Sequence, residues 1–254
     1  MMESSAFYVT LPSNASMDLY PTNKQASYKI RLPRTLYLRH GFEVALVEVQ
    51  YPISWKTFSR EESYEIGIFD REEGRYQSVF IPSVYYSNIG ELVKQLNTTL
   101  AAHFAIRGNG KQAKLKILKL AHKIELEIIG ERLWIEFKHE MSDILGLEHK
   151  SYTGTTIAPY IYDINKGFHS LYVYCNVCEP QIVGDAYVPL LRNVAIKGAR
   201  GEYVTKTYGE PHYVPVNTDT VDMIEINIKD DTGQDVSFAS GKVVCKLHFR
   251  NRAL

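Results

Sequence analysis

The sequence has no excess of charge of either sign. Its 254 residues carry 29 Lys plus Arg against 29 Asp plus Glu. Such a chain lacks the positive footprint that drives binding to phosphate backbones. It also lacks the mutual repulsion that keeps identical subunits apart. Cysteine is scarce: Cys175, Cys178 and Cys245 are the only three. That is too few for a disulfide framework, so free thiols in a reducing compartment are expected. Long apolar runs are missing, and no stretch approaches the roughly 20 residues of a spanning helix. Met1-Met2-Glu3-Ser4-Ser5 has neither the basic start nor the apolar run of a secretory signal. These absences predict an intracellular, soluble product with no membrane role. Tryptophan is rare as well, whereas 18 tyrosines and 10 phenylalanines are present. Tyrosine favours strands and half-buried interfaces.

Site chemistry is equally sparse. Cys175-Asn176-Val177-Cys178 has the two-residue gap of metal and redox sites. It lies in an apparent strand, where positions i and i+3 face opposite sides. A zinc site needs four ligands, and no second pair follows. Buried or interfacial thiols are the better expectation. The eight histidines, at 40, 103, 122, 139, 149, 169, 212 and 248, form no ligand pair of the His-Glu-x-x-His kind. Gly108-Asn109-Gly110-Lys111 lacks the glycine spacing and the hydroxyl residue of a phosphate loop, and it follows a helix instead of opening one. Lys111, Lys114, Lys116, Lys119 and Lys123 form a basic run that would suit nucleic acid. Glu125, Glu127, Glu131 and Glu136 soon offset it, which favours a solvated or lysine-guarded strand face. The sequons at Asn14 and Asn97 carry no meaning without a secretory route. No catalytic, cofactor-binding or metal residue is expected, and the chain reads as a non-enzyme without cofactors.

What the sequence has in quantity is period-2 alternation. Ile224, Ile226 and Ile228 point one way while Glu225, Asn227 and Lys229 point the other; Cys245, Leu247 and Phe249 repeat this against Lys246, His248 and Arg250. Between the two runs, Asp230-Asp231-Thr232-Gly233 is a turn cluster. Tyr28, Ile30 and Leu32 alternate near the N-terminus, and Phe42 to Ile53 reads as a long strand ended by Pro52. Tyr64–Phe69 and Tyr76–Ile81 read as a hairpin, and Leu115–Leu120, Ile124–Ile129 and Leu133–Phe137 as a short meander. One helix is clear. Ile89, Leu92, Val93, Leu96, Leu100 and Phe104 fall on one stripe, with Asn88 and Glu91 spaced as a capping box and Arg107-Gly108-Asn109-Gly110 as its close. A second helical turn is expected near Met141–Leu147. Many short strands without a long repeat predict a mainly β chain, a sandwich or jelly roll. Residues 83–149 would be an α+β insertion, returning to the main body near the polar stretch Ser151–Thr156.

Taken in order, several segments resemble the minor capsid (penton) proteins of Polinton, or Maverick, elements, which are related to virophage pentons. The first is Phe7-Tyr8-Val9-Thr10-Leu11-Pro12-Ser13-Asn14-Ala15-Ser16, followed by Tyr20-Pro21-Thr22-Asn23. Next come Tyr28-Lys29-Ile30-Arg31-Leu32-Pro33, then Phe42–Val49 with Tyr51-Pro52, and mid-chain Ser142-Asp143-Ile144-Leu145-Gly146-Leu147. The C-terminal part adds Leu171–Cys175, Val183-Gly184-Asp185, Leu190-Leu191-Arg192, Ile224–Ile228, Asp231-Thr232-Gly233, Phe238, Gly241 and Leu247–Arg250. The resemblance spans nearly the whole chain. It implies a single jelly-roll β-sandwich, residues 1–82 and 150–254, carrying a smaller inserted α+β domain at 83–149. It further implies a homopentamer at the fivefold vertices of an icosahedral capsid, a double jelly-roll major capsid protein as neighbour, and a place in the virion. The lysine run would then offer at most weak contact with packaged DNA. Tyrosine-rich loops, Tyr152 to Tyr162 and Tyr203 to Tyr213, are candidates for subunit contacts, with Tyr208 and Tyr213 as test positions whose charged variants should leave the monomer folded. The alternative is a β-sandwich ligand- or protein-binding module with an aromatic pocket; a hydrolase with a Cys-His or carboxylate pair converging in a cleft is a third reading.

Overall fold

The computed structural model describes residues 6–38, 41–58, 64–107, 110–166 and 168–252. The chain is mainly β, and its contacts divide it into two compact units. One comprises Met1–Trp55 with Phe168–Leu254, the other Lys56–Gly167.

The discontinuous unit begins with strands β1 (Ala6–Pro12), β2 (Ser27–Tyr37) and β3 (Phe42–Pro52). The continuous unit supplies β4 (Glu65–Asp70), β5 (Arg75–Phe80), helix α1 (Ile89–Arg107), β6 (Gln112–Leu118), β7 (Lys123–Ile129), β8 (Leu133–Phe137), helix α2 (His139–Leu145), β9 (Ser151–Tyr152) and β10 (Thr156–Ile157). The first unit then resumes with β11 (Ser170–Cys175), β12 (Gln181–Val183), β13 (Ala186–Val188), β14 (Leu190–Ala195), β15 (Tyr203–Thr207), β16 (Val214–Pro215), β17 (Thr220–Lys229) and β18 (Val244–Asn251).

In the discontinuous unit one sheet runs β1-β18-β3-β15, with β16 also on β3, and a second runs β14-β11-β17-β2. The alternation explains their faces. Ile224, Ile226 and Ile228 of β17 and Cys245, Leu247 and Phe249 of β18 are fully buried, while their intervening polar neighbours turn outward. The inner faces share one core, and the Tyr28 hydroxyl of β2 donates to the Leu11 carbonyl of β1, tying one sheet to the other. Each large apolar side chain so buried contributes about 1.5–3 kcal/mol relative to exposure. The turn at Asp230 forms as its residues suggest. Its carboxylate accepts from the N–H groups of Thr232 and Gln234, and Gly233 takes φ of 80°. It does not join a hairpin, however, because β17 and β18 lie in different sheets.

In the continuous unit the sheets are β10-β7-β6 and β5-β4-β8-β9. Helix α1 starts where the Asn88–Glu91 spacing places it. Asn88 Oδ1 accepts the Glu91 N–H at 3.1 Å, and the Glu91 carboxylate accepts the Ser87 N–H at 2.9 Å. Its stripe Leu92, Val93, Leu96, Leu100 and Phe104 is buried. The expected closing residues Gly108 and Asn109 lie outside the described residues. Helix α2 occupies the expected second position and ends at Gly146, where the N–H groups of Gly146 and Leu147 return to the Asp143 and Ser142 carbonyls.

Three expectations are corrected here. Strand β8 pairs with β4 and β9 instead of completing a meander with β7, because Gly130 (φ 140°) and Arg132 (φ 55°) redirect the chain between them. The hairpin β4–β5 and the stretch through residue 166 belong with α1, so the unit boundaries fall at 56 and 167 and not at 83 and 149. The cause is burial: Ile66 and Ile68 of β4 pack in the same core as Ile135 and Phe137 of β8. Ser151–Tyr152, read as loop, pairs with β8 and buries Tyr152.

Asn97 has an unforeseen part. Its Nδ2 donates to the Leu115 carbonyl at 2.9 Å and its Oδ1 accepts the Leu115 N–H at 2.8 Å. Strand β6 is an edge of its sheet, and this side chain satisfies backbone groups that a neighbouring strand would otherwise take. Asn97→Ala should destabilise the chain by about 2 kcal/mol, since two partly buried backbone groups lose partners. A denaturation midpoint unchanged from wild type would show that water replaces the amide without loss.

Candidate assembly surfaces

The thiols come together in the core, contrary to the opposite-face expectation. Strand β11 ends at Cys175, and the Cys178 N–H returns to the Cys175 carbonyl at 3.2 Å, so the chain turns there. All three cysteines are free and buried. A hydrogen bond from Cys175 and burial push the Cys178 thiol well above its ordinary range, and burial pushes the Cys245 thiol up to about 12. Both stay protonated at neutral pH, the form that neither attacks nor ligates. Among the described residues, no group of three or more His, Cys, Asp and Glu is placed to hold a metal ion.

A raised thiol value in the folded state means that unfolding favours thiolate. The stabilisation is therefore complete below about pH 9, the ordinary thiol range, and is lost as pH rises through about 12. An aromatic disulfide reagent should titrate no thiol in the native chain at neutral pH and all three in denaturant. Rapid native labelling of even one would contradict the burial.

The remaining sequence candidates disperse. His149 Nε2 lies 2.7 Å from Asp143 Oδ1, while His248 Nδ1 lies 2.7 Å from the Tyr213 hydroxyl. His40 lies outside the described residues. Lys111, in the glycine-flanked stretch, is committed to carboxylates: its Nζ sits 2.8 Å from both Asp70 oxygens and 2.6 Å from Glu72. Burial alone would push the Asp70 carboxyl up, but the Lys111 ammonium together with the Glu72 and Glu73 N–H groups outweighs it and holds it below the usual range. Two lysines of the run face glutamates across the strand pair, while Lys119 lies exposed in the turn between the strands. Lys114 stands opposite Glu127 and Lys116 opposite Glu125, with Lys116 Nζ 2.8 Å from Glu127 and 3.7 Å from Glu125. Lys123 donates to the Pro159 carbonyl.

An open cleft of ≈ 320 Å³ lies between Tyr85–Tyr86 and the α1 residues Glu91, Lys94 and Thr98. Of its lining, Glu91 is engaged in capping and Lys94 is exposed.

The outer face of the β1-β18-β3 sheet carries an aromatic–cation ladder. Tyr8 stacks on His248 with ring centroids 4.5 Å apart, Lys246 lies over Tyr8 at 5.2 Å, and Arg250 lies over Tyr213 at 3.5 Å. Burial and the Arg250 charge lower the His248 value, so its ring is neutral at physiological pH. Tyr213 thus belongs to this face. Tyr208 does not serve as a free loop contact: it packs against the core, with the Arg192 guanidinium 3.5 Å over its ring. A charged residue at 208 would disturb the core itself, so position 208 cannot separate assembly from folding.

Large apolar side chains are also exposed elsewhere in this unit, Tyr203 of β15 at 48% and others at two further places. Strands β12 and β13 form a separate two-stranded ribbon turned at Gly184, with Ile182 and Tyr187 opposite each other and 82% and 72% exposed. Tyr37, the last residue of β2, is 75% exposed, and Leu19, in the turn region that precedes β2, is 63% exposed. Sequence reasoning missed both, because an apolar residue in a strand looks the same whether it faces a core or a partner.

No protein-family model and no curated protein sequence matches the chain. Solved structures do. The chain is similar to the mavirus penton protein, with a TM-score of 0.52 and 14% identity over 97% of this chain and 99% of that one. It is likewise similar to a chain in the cryo-EM structure of the Sputnik virophage, with a TM-score of 0.52 and 12% identity over 98% of this chain and 99% of that one. At these identities the likeness is one of fold.

Proposed function

We propose that the chain is a penton, the minor capsid protein at the vertices of an icosahedral shell, belonging to a Polinton- or Maverick-type element. The observation that carries this is the end-to-end likeness to the mavirus penton protein, 97% of one chain against 99% of the other. A shared sandwich alone would leave residues 56–167 unmatched. In this reading the discontinuous unit is a single jelly roll and the continuous one is its inserted α+β domain. The subunit forms homopentamers at the fivefold positions, beside a double jelly-roll major capsid protein, and resides in the virion after intracellular synthesis.

The physical chemistry fits a structural part. Two packed sheets leave few open edges and free the surface for neighbours. A fivefold ring requires a heterologous contact whose rotation closes. Zero net charge sets no barrier to self-association. Packaged DNA would find little purchase on Lys111, Lys116 and Lys123, which are engaged by carboxylates and a carbonyl, and would be left with the exposed Lys114 and Lys119. Contact with DNA is therefore a minor element of the proposal.

The test is co-expression with a double jelly-roll capsid protein, followed by imaging of particles and by light scattering of the chain alone. The expected result is density for five copies at each vertex. Particles that close their vertices without this chain, or incorporate it elsewhere, would overturn the proposal.

A further inference from the structure

We infer that the β12–β13 ribbon of one copy docks on the β2 edge of a second copy of this chain, which makes the subunit contact head-to-tail. The inference rests on the penton reading and deepens it by naming the two surfaces that meet.

Their placement carries the argument. The ribbon immediately precedes β14, and Gln181 Nε2 donates to the Leu190 carbonyl, so it is rooted at the β14 edge of the sheet β14-β11-β17-β2. The exposed Tyr37 belongs to β2, the opposite edge of that same sheet. Two different patches at opposite edges of one subunit are what a ring of identical copies requires, since each copy must offer one face and receive the other.

The ribbon is an unusual object for a free subunit. A lone two-stranded hairpin is marginal in water, yet this one presents Ile182 and Tyr187 as a paired apolar surface. Aromatic and branched side chains on such a projection are the kind that anchor an interface once desolvated.

Charge fixes which surface receives it. Segment 179–188 holds Glu179 and Asp185 and no cation. Segment 14–37 holds Lys24, Lys29, Arg31 and Arg34 against the single acid Asp18. Lys29 and Arg31 are engaged with Glu225 and Asp222, while Lys24 and Arg34 are exposed in the same stretch as Leu19 and Tyr37. An acidic, apolar ribbon and a basic, apolar edge are complementary, and such complementarity sets register and excludes the ribbon-to-ribbon alternative.

The mode of contact is also constrained. The Lys29 N–H and carbonyl are already bonded to the Asn23 side chain, and the Arg31 N–H to Ser16 Oγ. The edge backbone is thereby closed to an added strand over Lys29–Arg31, and at Pro33 there is no N–H to give, so side chains make the contact.

The experiment uses two variants of the full chain, each altered only at exposed positions. The ribbon variant is Ile182→Asp with Tyr187→Ser; the edge variant is Arg34→Glu with Tyr37→Ser. Each alone should fall from the five-chain mass to the 29.1 kDa of one chain, with circular dichroism and thermal midpoint unchanged. Mixed together, they retain one intact ribbon and one intact edge, so they should form a two-chain species and stop there. Wild-type rings persisting in either variant, or a mixture that stays monomeric, would overturn the contact. So would a wild-type chain that is monomeric at high concentration, whereas the vertex reading is judged separately from particles. Rings intact but vertices left empty in the ribbon variant would assign the ribbon to the major capsid protein and overturn self-docking. Rings of another number, dissolved by the same variants, would uphold the contact and overturn the fivefold reading.

Discussion

Phe249→Ala should lower the stability of the chain by about 3–5 kcal/mol, the range for emptying a buried aromatic site. Phe249 lies on β18, which is flanked on both sides by β1 and β3, and its side chain is fully buried. Its ring stacks on Phe7 at 5.2 Å with only 7° between planes, and Phe7 in turn meets Phe42 at 6.2 Å. Three strands thus converge on one aromatic cluster, which cannot collapse without shifting the ladder that holds it. Phe249→Leu keeps most of the volume and should cost much less. Chemical denaturation of both variants, followed by near-ultraviolet dichroism, measures the pair. An alanine variant within about 1 kcal/mol of wild type, against the range quoted above, would show that this cluster is loosely packed.

The same residue shows how much the sequence discloses. Alternation of Cys245, Leu247 and Phe249 with polar neighbours states that the strand has one buried face, and the structure buries that face. Period 2 says which side a residue points to but not which strand lies beside it. Hence β17 and β18, consecutive in the chain, could be read correctly one by one while their membership of different sheets stayed hidden. The same limit applies to β8, whose partner β4 is more than 60 residues earlier by number. The start and the buried stripe of helix α1 were legible because their information is local: stripe and cap lie within 17 residues. Asn97 was half legible. It sits four residues after Val93 and three before Leu100, on the flank of the buried stripe, and a polar side chain there must have a partner. That spacing marks the residue; only the fold shows that the partner is Leu115. The exposed apolar side chains Ile182, Tyr187 and Tyr37 were the least legible, because an apolar residue on the outer face of a strand leaves no signal that separates it from an inner one.

Gly146→Ala tests the continuous unit through the backbone. Gly146 ends helix α2 with φ of 71°, where an L residue costs about 1–2 kcal/mol. Space adds to conformation. A Cβ at this position would fall against the Tyr160 carbonyl oxygen and 2.8 Å from the Ile161 carbonyl oxygen, both backbone atoms that cannot rotate aside. The Tyr160 N–H is bonded to the Gly146 carbonyl, so the segment pressed away is the one this turn holds in place. The variant should lose roughly 3 kcal/mol, about half from the left-handed conformation and the rest from the displaced strand of chain. Gly146→Asn separates the two parts, because asparagine tolerates the conformation but carries the same Cβ. Full wild-type stability in the Gly146→Asn chain would refute the close approach of Tyr160. If both variants lost hydrogen-exchange protection at Tyr160 and Tyr162, whose N–H groups bond to Gly146 and His122, the turn would be shown to position that segment through contact and not through φ alone.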